Sequence, residues 1–178
     1  MLHLTQWVIP FGFAFLVVHG ALSDLTRFRI PNWVSYALVL LFGVHAFLGW
    51  LDTPYLPSLE LRLPPLVFNF STALIVFVVS AVFWKLRYIG GGDVKYLTAT
   101  SLWMGPAAAL PFIILLTGLA IGFVLVLKLL GTWGFLVQGA RLPMFAKQLF
   151  AKLQVNELPY GFPIGMAALI MIPKIFGF

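Results

Sequence analysis

Two aspartates carry the chemistry this sequence offers: Asp24, in Ser23-Asp24-Leu25, and Asp93, which closes the run Gly90-Gly91-Gly92-Asp93. Each sits where a long apolar stretch meets a short basic one, in a chain with only five acidic residues, the others being Asp52, Glu60 and Glu157. A carboxylate at the end of a membrane helix is costly unless it is solvated, paired or used. Two carboxylates at one place cannot both ionise cheaply, so they share a proton, and such a pair has the working parts of an aspartyl protease. The question for the rest of the chain is whether its elements bring the two together.

Composition sets the class of those elements. With 62% hydrophobic residues, 9% charged residues and a mean hydropathy of +1.04, the chain reads as an integral membrane protein. Long apolar runs without short alternating segments satisfy their backbone hydrogen bonds in a bilayer as helices, so the predicted fold class is all-α, one transmembrane domain over residues 1–178. Cysteine is absent, which excludes disulfides, thiolate catalysis and a cysteine-ligated zinc module. His19 and His45 lie within apolar runs and form no metal-spaced cluster; no metal, cofactor or nucleic acid is expected.

Apolar runs fall near residues 4–22, 32–51, 65–84, 94–105, 106–130 and 160–177, predicting a bundle of about six transmembrane helices. The first run lacks a basic region ahead of it and reads as a span rather than a signal peptide. The fourth is short for a span of about 20 residues, with Met104-Gly105-Pro106 as the turn into the fifth. Residues 141–154 carry Leu142, Phe145, Ala146, Leu149, Phe150 and Leu153 at helical spacing, with Arg141, Lys147 and Lys152 on the flanks. They predict an amphipathic helix lying in the interface against anionic lipid. Asn69, Ser71 and Thr72 read as hydrogen-bonding glue between helices.

Orientation follows from Lys and Arg. An N-terminus outside puts nine of the eleven on the cytoplasmic side, among them Arg27, Arg29, Lys85, Arg87 and Lys95, and only Arg62 and Lys174 outside. Trp7, Trp50 and Trp103 then fall near the outer interface and Trp33 and Trp84 near the inner one. Asp24 and Asp93 share the cytoplasmic face.

Around Asp24, Pro31 biases Ile30 to an extended conformation and can open the second helix. Gly90, Gly91 and Gly92 let a substrate backbone approach Asp93 and permit positive φ. Taken singly, each aspartate has a plain structural reading, Asp24 as a partner of Arg27 or Arg29 and Asp93 as a helix N-cap. Lys95 can bind a backbone carbonyl, assist the pair or simply snorkel to the interface.

The combination resembles the type IV prepilin peptidases, especially the short form associated with tight-adherence (Flp-type) pili. The matching pieces are Asp24 through Arg27-Phe28-Arg29-Ile30-Pro31-Asn32, then Gly90-Gly91-Gly92-Asp93-Val94-Lys95, then Leu158-Pro159-Tyr160-Gly161. The resemblance implies an aspartic endopeptidase of the bacterial cytoplasmic membrane with Asp24 and Asp93 as its catalytic pair and Pro31, Asn32 and Lys95 in support. Its implied partner is a prepilin, whose short basic leader is removed after a glycine just ahead of the pilin's apolar helix. The larger members have a cysteine-bearing cytoplasmic domain and also N-methylate the product, so here the resemblance extends to the peptidase alone. Two rival readings stay open: a presenilin-like intramembrane protease, which also uses a Gly-x-Gly-Asp segment, and a small ion-coupled transporter binding cations with the same carboxylates.

Overall fold

The computed structural model describes residues 2–52, 65–136 and 159–177. Among them the chain is helical and holds no strand. Helices α1 (Leu2–Arg27), α2 (Asn32–Asp52), α3 (Pro65–Lys85) and α4 (Gly91–Leu136) are long, while α5 (Gly161–Ile170) and α6 (Ile172–Phe176) are short and meet at Met171. The four long ones contain stretches long and apolar enough to cross a membrane. Their outer faces remain apolar, as Phe11, Phe15, Leu74, Ile114 and Leu125 illustrate, because the surrounding solvent is lipid rather than water. The fold is the all-α membrane bundle that composition demands.

The expected fourth and fifth segments are joined in one helical run, α4, broken at Gly105 with φ 56° and ψ −178°. Its apolar part, Gly91–Leu129, has 39 residues. Straight, that would measure about 58 Å, nearly twice a hydrocarbon core of about 30 Å. The run instead turns back. Phe123 packs on Phe162 of α5 with ring centroids 5.0 Å apart. Phe162 follows Gly161, which is bonded to Asp24 beside the cavity that Asp93 also lines. Thirty residues of straight helix would carry Phe123 about 45 Å beyond Asp93, so the contact requires a sharp reversal. Only glycine takes the Gly105 dihedrals without steric cost, and a Cβ there would stand 2.7 Å from Asn69 Oδ1 on α3. Pro106 then opens the returning arm.

Helical spacing places both aspartates on inward stripes. On α1, Phe13, Val17, Ala21 and Asp24 are buried while Phe15, Val18 and Leu22 face outward. On the first arm of α4, Asp93 heads a stripe continued by the buried Tyr96, Thr100 and Trp103. The stripes meet: Tyr96 donates its hydroxyl to the Val17 carbonyl over 2.8 Å. That approach is possible because Gly20 and Gly165 leave room for the ring, a Cβ on Gly20 standing 2.8 Å from it and one on Gly165 standing 3.1 Å from the hydroxyl.

Deeper in the bundle, at the middle of α1 and α2 and the end of the first arm of α4, aromatic rings fill the core. Trp103 lies 4.8 Å from Phe13, 5.4 Å from Phe42 and 5.7 Å from His45 between centroids, and its Nε1 donates to the Leu38 carbonyl over 3.2 Å. The expectation of an interfacial belt at Trp103 is therefore corrected: its ring fills the core. Trp7, Trp33 and Trp84 are exposed, as belt residues would be. Ser71 and Thr72 also differ from expectation, both donating to the Phe68 carbonyl of their own helix. The predicted helix at residues 141–154, Glu60, Arg62 and Glu157 lie outside the described residues.

Candidate active site

The end of α1 is closed by a left-handed residue. Phe28, with φ 54°, donates its N–H to the Asp24 carbonyl over 2.8 Å, and the Ser23 hydroxyl donates to the Arg29 carbonyl over 3.0 Å. A non-glycine residue in that region costs about 1–2 kcal/mol. Here the strain turns the chain at once into α2, which starts at Asn32 behind Pro31, and leaves Asp24 one turn inside α1. Asp24 is only 4% exposed.

Asp93 is the third residue of α4. Its Oδ2 accepts the N–H of Gly90 over 3.1 Å, the return arm of a capping box rather than the N-cap of its plain structural reading. Gly91 and Gly92 already belong to α4, and none of the three glycines has positive φ. A Cβ would fit in ordinary contact at two of them, 3.4 Å from Trp84 Nε1 on Gly91 and 3.8 Å from Ile30 on Gly92, whereas on Gly90 it would crowd Asp93 Oδ2 at 3.0 Å. Gly90 alone precedes the helix and is exposed.

These pieces enclose a cavity of about 240 Å³ lined by Asp24, by Phe28, Arg29, Ile30 and Asn32 of the following turn, and by Gly90, Gly92 and Asp93. Two carboxylates from different helices thus face one space large enough for water and a peptide group, near enough for their charges to interact. Lys95 does not line it. Its Nζ donates to Asn32 Oδ1 over 3.1 Å, tying the start of α4 to the start of α2. Pro31 lies outside the lining and contributes its carbonyl, which accepts the Val34 N–H over 3.1 Å.

One residue of the site is missing from the sequence-based selection. Gly161 donates its N–H to Asp24 Oδ2 over 2.7 Å, in a buried contact between residues 137 apart. A Cβ on Gly161 would stand 2.9 Å from both Cβ and Oδ2 of Asp24 and 2.6 Å from Ile30 Cδ1, so only glycine fits. The signal was the Leu158-Pro159-Tyr160-Gly161 run, whose glycine opens a helix.

The sequence model of the type IV leader peptidase family matches residues 11–127. That stretch is most of the chain and contains both aspartates, and the protein belongs to this family. The family's name describes a peptidase, so the chain is classed with hydrolases that act on leader peptides. No curated protein and no solved structure matches the chain.

Proposed function

We propose that this protein is an aspartic endopeptidase of the bacterial cytoplasmic membrane that removes the basic leader from Flp-like prepilins at the cytoplasmic face. The observation that carries the reading is the shared cavity: Asp24 and Asp93 line one space at the ends of α1 and α4, in a member of the leader peptidase family. Both lie within a turn of a helix terminus rather than halfway along a span. That favours a substrate cut beside the membrane over one cut within it, and peptidase chemistry over mid-membrane ion transport.

The reaction needs one proton on the pair. The protonated carboxyl donates to the scissile carbonyl oxygen while the ionised one takes a proton from water, whose oxygen attacks the carbonyl carbon. The tetrahedral intermediate collapses when the newly protonated carboxyl gives its proton to the departing nitrogen and the other recovers its own from a hydroxyl of the intermediate. The C–N bond breaks, and leader acid and pilin amine separate.

Sidedness rests on the cations. Arg27, Arg29, Lys85, Arg87 and Lys95 gather at the aspartate end, the distribution favoured for cytoplasmic faces. A prepilin with its apolar helix in the bilayer and its leader in the cytoplasm would present its scissile bond at that depth.

The test is coexpression with a Flp-type prepilin, following leader removal on a gel for wild type, Asp24→Asn and Asp93→Asn. Both substitutions are expected to abolish processing while the protein still accumulates in the membrane. Continued cleavage by either variant would remove that residue from the pair.

A further inference from the structure

The geometry points to Gly161 as the positioning residue that makes Asp24, and not Asp93, the carboxylate that holds the negative charge and takes the proton from water. This rests on the peptidase reading above.

Gly161 is the first residue of α5, a helix of ten residues, and Tyr160 before it supplies no side-chain cap. The first N–H groups of a helix have no partner within it and carry the positive end of its dipole. Here one of those groups is capped from another helix, by Asp24 Oδ2 at 2.7 Å. A hydrogen bond from a helix N-terminus to a carboxylate stabilises its ionised form. Asp93 also sits at a helix start, in the first turn of α4, and accepts a backbone N–H there, but from Gly90, at 3.1 Å and in an exposed contact. The shorter, buried donor falls on Asp24, so the shared proton resides on Asp93.

The same contact fixes where the Asp24 carboxylate points. α5 packs on α1 through Gly161 and Gly165, with a Cβ on Gly165 placed 2.6 Å from that of Ala21. Pro159, just ahead of the helix, has no exposure to solvent. The helix therefore cannot move away from Asp24 without opening its packing against α1. Asp93 then polarises the scissile carbonyl, Asp24 deprotonates the water, and Asp24 afterwards returns that proton to the leaving amine.

The alternative is that Asp24 merely caps α5 and that Gly161 is glycine for packing alone. Two substitutions at the same helix interface separate these. Gly161→Ala puts a methyl against the Asp24 carboxylate, whereas Gly165→Ala crowds Ala21 and the Tyr96 hydroxyl one turn further on, with no carboxylate oxygen among its nearest neighbours. In cleavage of a detergent-solubilised prepilin, Gly161→Ala is expected to lower kcat by roughly 10- to 100-fold with KM within about twofold, the loss typical of a weakened hydrogen bond to a charged group. Gly165→Ala should lower the thermal midpoint while retaining kcat per folded molecule. Equal kcat losses in the two, an effect on KM alone, or unchanged turnover in Gly161→Ala would overturn the assignment.

A second readout does not depend on the reaction. In protein labelled with carbon-13 aspartate, in an Asp52→Asn, Asp93→Asn background that leaves Asp24 as the one labelled carboxylate side chain, its infrared band should shift when Gly161→Ala is added and stay fixed when Gly165→Ala is added. A band that does not move with Gly161→Ala would overturn the contact. Failure of the peptidase reading would appear separately, as cleavage surviving in Asp24→Asn.

Discussion

Lys95 and Asn32 clasp the starts of α4 and α2 through a 3.1 Å hydrogen bond between Nζ and Oδ1. Asn32 lines the cavity and Lys95 follows Asp93 by two residues, so the clasp fixes the distance between the glycine segment and the turn after Asp24. It is exposed to solvent, which limits its strength. Lys95→Met and Asn32→Ala are each expected to slow cleavage two- to fivefold, about 0.5–1 kcal/mol, with little change in thermal midpoint. The double variant should be no slower than the worse single one; fully additive losses in a double-mutant cycle would show that the two side chains act independently.

Gly105 is placed under two separate constraints, its dihedrals and the side-chain oxygen of Asn69. Gly105→Ala should therefore lower stability through both, the backbone part alone costing about 1–3 kcal/mol. Adding Asn69→Ala removes the neighbour that a Cβ would meet at 2.7 Å and should recover part of the loss, leaving the dihedral cost. Thermal unfolding in detergent measures this. Full recovery would mean that the turn tolerates a side chain and that φ 56° is not required there.

Tyr96 joins α4 to α1 at a point with no exposure to solvent. Removing only its hydroxyl, in Tyr96→Phe, should cost about 0.5–1.5 kcal/mol and appear as a modest fall in midpoint with cleavage retained. Gly20→Val, by contrast, puts a branched side chain where a Cβ already stands 2.8 Å from the ring. It should displace α4 relative to α1 and lose both folded yield and activity. A Gly20→Val protein of normal midpoint would show that the two helices are not packed at this contact.

Much of this arrangement is legible in the sequence because the relevant signals are local. The apolar runs announce the helices, Met104-Gly105-Pro106 announces the turn within α4, and the spacing of Phe13, Val17, Ala21 and Asp24 turns an aspartate inward with the core stripe. The contributions that escape are those set by distant partners. Trp103 is a core residue because rings from α1 and α2 converge on it, and nothing near it in the chain distinguishes that from a place in lipid. Gly161 acts on Asp24 from 137 residues away, and its requirement for glycine arises from a helix packed across it rather than from its own backbone. The glycines before Asp93 stand out in the sequence, but that Gly91 and Gly92 lie inside α4 rather than in a loop does not, since helix and loop both accept glycine.

The orientation of the bundle is open to a direct measurement because the chain contains no cysteine, so a single introduced thiol reports alone. Tyr88 is 66% exposed in the short connection between α3 and α4, at the end that carries Asp93. Trp7 is exposed on α1, 17 residues before Asp24 and so about 25 Å of helix away from it, toward the opposite end. If the aspartates face the cytoplasm, Trp7→Cys should react in intact spheroplasts with a maleimide that cannot cross the membrane, giving a shift on a gel. Tyr88→Cys should react only after permeabilisation. The reversed pattern would put the cavity on the outer face, where a leader held in the cytoplasm could not reach it, and cleavage of prepilins by this protein would have to be abandoned even with both aspartates in one cavity.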